Sequence, residues 1–189
     1  MSDWKPTMSW QDAQQRAEII HKIRGFFLKK RIVEVETPTL SAGTVTDVHL
    51  DAFQTTSSAL PLNDLDQRTT YHLQTSPEFF MKRLLASGYQ SIFQISKAFR
   101  DEEQGSHHNP EFTMIEWYRL GFTQFELMSE MEELFQEILS VESCESISYQ
   151  NVFKKHVGID PLETSKESLI SLIKLKEKYE DWLIKEEFD

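Results

Sequence analysis

The chain has a single cysteine, Cys144, among 189 residues. It cannot build an internal disulfide framework, and that cysteine usage suits a reducing compartment. No apolar run approaches the length that crosses a bilayer, and the N-terminus shows neither an apolar signal core nor a small-residue cleavage site. A cytoplasmic protein without a membrane anchor is therefore expected. Positive charge is also scarce: 20 Lys and Arg against 31 Asp and Glu leave a net −11. That balance argues against broad, sequence-independent nucleic-acid binding, which needs basic surface to displace counterions, but it leaves a local basic patch open. The six glycines form neither a P-loop nor a dinucleotide-binding turn, so any nucleotide must be held in some other way. What the chain does have is 13 Phe and four Trp, enough for a real core in one domain or slightly more.

Along the chain, "SWQDAQQRAEIIHKIRGFFLKKR" predicts an amphipathic helix. Ala13, Ala17, Ile20, Ile23 and Phe27 fall at helical spacing, and Ser9 with Asp12 forms a capping box. "RIVEVETP" switches to alternation, with Val33 and Val35 expected inward, and Pro38 ends the strand. Residues 39–70 are loop-rich. "YHLQ" predicts a short strand running into "TSPEFFMKRLLASG", where Ser76 suits an N-cap, Pro77 the first helical position and Gly88 the close. "SIFQISKAFRDE" and "EFTMIEWYRL" predict two strands joined by the polar loop "EQGSHHNP". "TQFELMSEMEELFQEILS" is a helix with a Thr123–Glu126 capping box and a buried stripe of Leu127, Met131, Leu134 and Ile138. A short helix around "YQNVFKKHVG" and a charged helical end follow.

The strand pair carries the chemistry. Side chains alternate faces on a strand, so Ser96, Ala98, Arg100 and Glu102 share one face, while Phe112, Met114, Glu116 and Tyr118 share a face of the next. If those faces align, they form a polar and aromatic floor, with Ile115 and Trp117 behind it in the core. Arg100 could clamp phosphate oxygens with its fixed fork of donors. Phe112 offers a face to a purine, Glu116 can accept from an ammonium, and Tyr118 can close a wall while keeping its hydroxyl available. A plain hairpin with cross-strand pairs between Arg100 and Glu102 or Glu116 would use the same residues. One at a time each residue favours that reading; together, on one face beside a polar loop, they favour a site. His107 and His108 invite a metal, but neighbours on a loop diverge and no cysteine or carboxylate stands at ligand spacing. No metal ligand is assigned.

"FRDE…HNPEFTMIEWY" resembles motif 2 of the class II aminoacyl-tRNA synthetases, within them the lysyl-tRNA synthetase group. "FFLKKRIVEVETPTL" is similar to motif 1 of that class, which builds a dimer interface, and "TSPEFFMKRLL" to its substrate loop. Three ordered motifs span roughly residues 16–119. Within the group the likeness is greatest to the paralogues that activate (R)-β-lysine and ligate it to elongation factor P. Motif 1 begins almost at the N-terminus, leaving no room for a preceding tRNA-binding domain. In addition, Ser76 stands where the synthetases usually have alanine, and the strand reads "EWY" rather than "ELY".

The resemblance implies an α+β fold, a class II synthetase-like antiparallel sheet flanked by helices and incomplete at its C-terminus. Motif 1 would lie at about 16–40, the substrate loop at 75–85, motif 2 at about 93–119 and a helical region at 123–189. It assigns Ser76, Pro77, Glu78, Glu116 and Tyr118 to a lysine or β-lysine substrate. It assigns Arg100, Asp101, Glu102, His108, Asn109 and Phe112 to ATP, with Arg100 as the catalytic group on the α-phosphate and Phe112 under the adenine. Magnesium would come with the ATP, its protein ligands lying beyond this chain. A homodimer is implied, with elongation factor P as partner and no role for tRNA. The family's third motif, glycine-rich and carrying another ATP-binding arginine, is expected past residue 189, because after Gly121 the only glycine is Gly158. The 189-residue chain alone is therefore expected to be inactive, and partner-dependent or poorly soluble. Arg31 replaces the glycine common between the motif 1 helix and strand, so it must take a left-handed conformation or the helix must end differently. His107 replaces an arginine usual in the synthetases. The competing readings are the catalytic part of a lysyl-tRNA synthetase, or a non-catalytic binding or dimerisation module derived from one.

Overall fold

The computed structural model describes residues 4–57, 69–101 and 108–175, and the chain divides into two compact units, Met1–Glu142 and Ser143–Asp189. The first begins with helix α1, Trp10–Lys29. Ser9 caps it as the capping box predicts: Asp12 N donates to Ser9 Oγ at 3.1 Å, and Ser9 N to the Asp12 carboxylate at 3.3 Å. The buried face is shifted from expectation. Phe26 and Phe27 are buried, Ile20 and Ile23 half-buried, and Ala17 is exposed.

The helix stops in a Schellman turn. Ile32 N donates to Phe27 O at 3.0 Å and Arg31 N to Leu28 O at 2.9 Å. Arg31 occupies the left-handed position, with φ +58°. An L-residue there costs about 1–2 kcal/mol, offset by the two bonds and by Ile32, which folds back onto Phe27 in the core.

Strand β1 is only Val33–Glu34. It pairs in parallel with β5, Ile92–Phe99, through Val33↔Ile92, and β5 pairs antiparallel with β6, Glu111–Tyr118, giving the order β1-β5-β6. Val33 is not inward as expected but 58% exposed; Ile32 takes the core position. Helix α3, Gln124–Leu139, keeps the predicted Thr123–Glu126 box and joins α1 on the back of β5 and β6. Phe27 stacks on Phe93 at 4.6 Å and leans on Trp117 at 5.5 Å, with Leu134 closing the cluster. Leu127, expected in the stripe, is 38% exposed, while Glu130 is buried.

A second sheet has the order β2-β4-β3, all antiparallel: β2 Leu40–Ser41, β3 Gln54–Ser57 and β4 Thr69–Leu73. Gln74 ties the sheets together. Its N donates to Thr39 O, its O accepts from Phe99 N, and its side-chain Nε2 donates to Lys97 O at 2.7 Å. That seam sets the start of α2, Glu78–Ala86, against β5. The N-cap is Pro77 rather than Ser76, one residue later than expected, although Ser76 Oγ still accepts from Glu78 N at 3.1 Å. Gly88, φ +99°, follows the helix end. These are helices flanking antiparallel sheet, an α+β architecture, with one parallel pair at β1.

The second unit holds α4, Tyr149–Val157, capped by Ser148 and closed by left-handed Gly158, and α5, Lys166–Leu175. Asp160 organises it by accepting from Gln150 Nε2 at 2.7 Å and pairing with Lys154 at 2.5 Å. The Lys154 ammonium draws the Asp160 carboxyl below its ordinary pKa.

Candidate functional site

The register of β5 and β6 decides the site. Ala98 faces Phe112, Ser96 faces Met114, Gln94 faces Glu116 and Ile92 faces Tyr118. The two polar and aromatic faces therefore align as supposed from alternation. Ile115 and Trp117 pack behind them against the Phe27 cluster. The shared face is a floor with two ends, separated by the six residue steps between Phe112 and Tyr118, roughly 20 Å along the strand.

At the first end, β5 stops at Phe99, and Arg100 extends its register by one bond, its N donating to Pro110 O at 2.9 Å, where proline has no N–H to return. Its guanidinium carbon sits 5.3 Å from the Phe112 ring centroid, and its Nε donates to Thr75 O at 3.4 Å. Arg100 is thus drawn to both the Phe112 ring and the backbone just before α2. Asp101 is exposed and bridges to Asp51, with its N on Asp51 O at 2.9 Å. His108 and Asn109 are exposed. Glu102 and His107 lie outside the described residues.

At the second end, Tyr118 Oη donates to Glu116 Oε1 at 2.6 Å, and both side chains are half-buried. The phenol is held far above its ordinary pKa, chiefly by burial, then by its bond to Glu116 and by the negative charges of Glu116 and Glu78. Glu78, from the first turn of α2, pairs with Lys82 at 2.5 Å, one helical turn on. Its bond to Glu78 raises the Lys82 ammonium pKa, with a smaller contribution from Glu116. Two carboxylates and a phenol therefore share one neighbourhood. That set suits an ammonium, because carboxylates accept and the phenol adds a neutral hydrogen-bonding group.

Between the ends, Ser76 is half-buried and Pro77 fully buried. A cavity of ≈ 220 Å³ opens beside them, walled by Thr44 and Val45 on one side and Phe79, Phe80 and Arg83 of α2 on the other. Gln74 and Thr75 also line it, and their side chains carry two buried polar atoms without a hydrogen-bond partner, Gln74 Oε1 and Thr75 Oγ1. Sequence reasoning missed Gln74, Thr75 and Lys82. Lys82 alone had a local signal, its position four residues after Glu78 on one helix face. No group of three His, Cys, Asp or Glu able to hold a metal ion occurs among the described residues. They do not fit a magnesium site. No helix among them is long and apolar enough to cross a membrane.

The family model described as tRNA synthetases class II (D, K and N) matches residues 3–183. Among curated proteins, the chain is 51% identical over 175 residues to one from Pseudoalteromonas translucida named elongation factor P–(R)-beta-lysine ligase, covering 89% of this chain and 51% of that protein. Proteins of the same name from Vibrio vulnificus and Haemophilus influenzae are 50% and 49% identical, each covering 90% of the chain and 52% of their own length. The chain spans about half the length of the curated relatives it matches.

Proposed function

The chain belongs to the class II tRNA synthetases of the D, K and N group, and from that premise we propose that it carries one part of a site that activates (R)-β-lysine with ATP and transfers it to elongation factor P. The observation that carries the reading is the aligned floor, with an arginine and an aromatic ring at one end and two carboxylates with a phenol near the other. The names of the half-matching relatives support the choice of substrate and acceptor.

In this reading Arg100 leaves the Phe112 ring to hold the α-phosphate, and the purine takes its place. Asp101, Glu102, His108 and Asn109 border the nucleotide. Ser76, Pro77 and Glu78 shape the backbone end of the amino acid, and Glu116 and Tyr118 receive its distal ammonium. The substrate carboxylate attacks the α-phosphorus, giving an acyl-adenylate and pyrophosphate. A lysine ε-amine of elongation factor P then attacks the acyl carbon, and AMP leaves. The protein supplies positioning and charge, since no covalent intermediate with a side chain is required. Leu28 and Val33, both exposed on the motif 1 segment, support a homodimer through that face. Both units belong to one catalytic domain, and the protein acts in the cytoplasm.

Calorimetry tests the binding half of the proposal, titrating the chain with ATP, (R)-β-lysine and α-lysine. Saturable binding of ATP and preference for the β-isomer are expected. Mass spectrometry of elongation factor P incubated with a longer form tests the transfer, and charging of tRNA instead would favour the lysyl-tRNA synthetase reading. Robust ATP–pyrophosphate exchange by the 189-residue chain alone would overturn the placing of essential ATP-closing groups outside it.

A further inference from the structure

Glu130 lies on the buried face of α3, one turn before Leu134, and is 3% exposed. A buried carboxylate costs several kcal/mol in lost hydration and is weak evidence of stability, since an apolar residue of similar volume often does as well. Its surroundings indicate what it is for. Trp117 Nε1 donates to Glu130 Oε1 at 3.1 Å. Arg119 Nε stands 3.1 Å from Oε2, a charge contact rather than an aligned hydrogen bond. Lys30, at the end of α1, adds a second positive charge at 3.8 Å. The Arg119 guanidinium is also laid over the Phe122 ring at 4.2 Å, so it is not free to swing away.

Trp117 projects behind β6 and Arg119, the residue just past the strand, reaches the same carboxylate, while Glu116 and Tyr118 project in front. One carboxylate on a capped helix thus grips the end of the strand at both residues flanking Tyr118. We propose that Glu130 is a positioning residue, fixing the twist and depth of the β6 terminus and so the placement of Glu116 and Tyr118. What those two side chains hold rests on the proposed function; their placement does not.

The test uses the full chain labelled with ¹³C-tyrosine, the Tyr118 ring resonance being assigned by its loss in Tyr118→Phe. Glu130→Gln keeps shape and an acceptor for Trp117 but removes the charge facing Arg119. Trp117→Phe removes the indole donor from the other side, together with part of the ring that packs against Phe27, and decides the matter if Glu130→Gln does not fold. A shift of the Tyr118 resonance, with those of Tyr71 and Tyr89 unmoved, is the expected result. A Tyr118 resonance unmoved in the folded variants overturns the proposal. Calorimetry gives a second arm. Affinity for (R)-β-lysine or lysine should fall on the order of tenfold, about what weakening one hydrogen bond to a charged group costs, while affinity for ATP at the far end of the floor stays unchanged. Equal loss for both ligands would mean general destabilisation and overturn the positioning role. Absence of amino-acid binding in the unaltered chain would count against the proposed function alone, because the Tyr118 resonance still decides the role of Glu130.

Discussion

Replacing Phe112 with alanine should weaken ATP binding by roughly tenfold and leave inorganic triphosphate unaffected. A purine stacked on an aromatic side chain gains about 1–3 kcal/mol. The free protein already uses that ring, since the Arg100 guanidinium lies 5.3 Å from its centroid, a contact worth about 0.5–1 kcal/mol at a partly exposed site. ATP must forfeit this contact when Arg100 moves to phosphate, and the alanine variant has none to forfeit. The net loss is the difference, about 1–1.5 kcal/mol near the centre of both ranges, or roughly tenfold in affinity. Triphosphate lacks the purine, so its binding should hold steady or tighten slightly as Arg100 is released. Titration calorimetry on the unaltered and Phe112→Ala chains measures both. An equal loss for ATP and triphosphate would refute the reasoning, since Phe112 would then be holding Arg100 in place rather than receiving a base.

The raised Tyr118 pKa has a stability consequence with a definite sign. The folded protein keeps the phenolic proton where the unfolded chain releases it, so the stabilisation is full below the ordinary value near 10 and declines as pH climbs through and above it. The gap in urea midpoint between the unaltered protein and Tyr118→Phe should shrink from about pH 8 to about pH 11; a constant gap would contradict the assignment. Phe27 is fully buried and stacked on Phe93, so Phe27→Ala should cost about 4–5 kcal/mol in denaturant unfolding, at the upper end for such cavities. A loss under about 2 kcal/mol would mean the core repacks. Arg31→Gly, at φ +58°, should leave the unfolding free energy in urea unchanged or raise it by up to about 1 kcal/mol, the relieved strain less the glycine entropy, whereas Arg31→Val should lower it.

Local rules made much of the scaffold legible. The capping boxes at Ser9 and Thr123, the strand pair and the α4 closure at Gly158 follow from short-range chemistry, where the group that caps or turns the chain lies within a few residues of its target. The misses share a cause. Val33 and Leu127 fit the apolar pattern yet are exposed, and Glu130 breaks it yet is buried. Periodicity says which residues share a face but not which face meets which neighbour. Ile32 took the core place of Val33 because the Schellman turn at Arg31 rotates the chain between helix and strand.

The chemistry available to the site is legible in the chain alone: an arginine, an aromatic ring, two carboxylates and a phenol at alternating positions on two strands and the start of a helix. Alternation along a strand is a property of the backbone, so no partner is needed to know that Glu116 and Tyr118 point the same way. The rest came from the packing of distant segments. The register put Phe112 opposite Ala98, the Gln74 seam brought Thr75 to Arg100, and α2 set Glu78 close enough for its charge to act on Tyr118. Those contacts join residues far apart in the chain, and their geometry is set by how α1 and α3 pack behind the sheet, which no local pattern encodes.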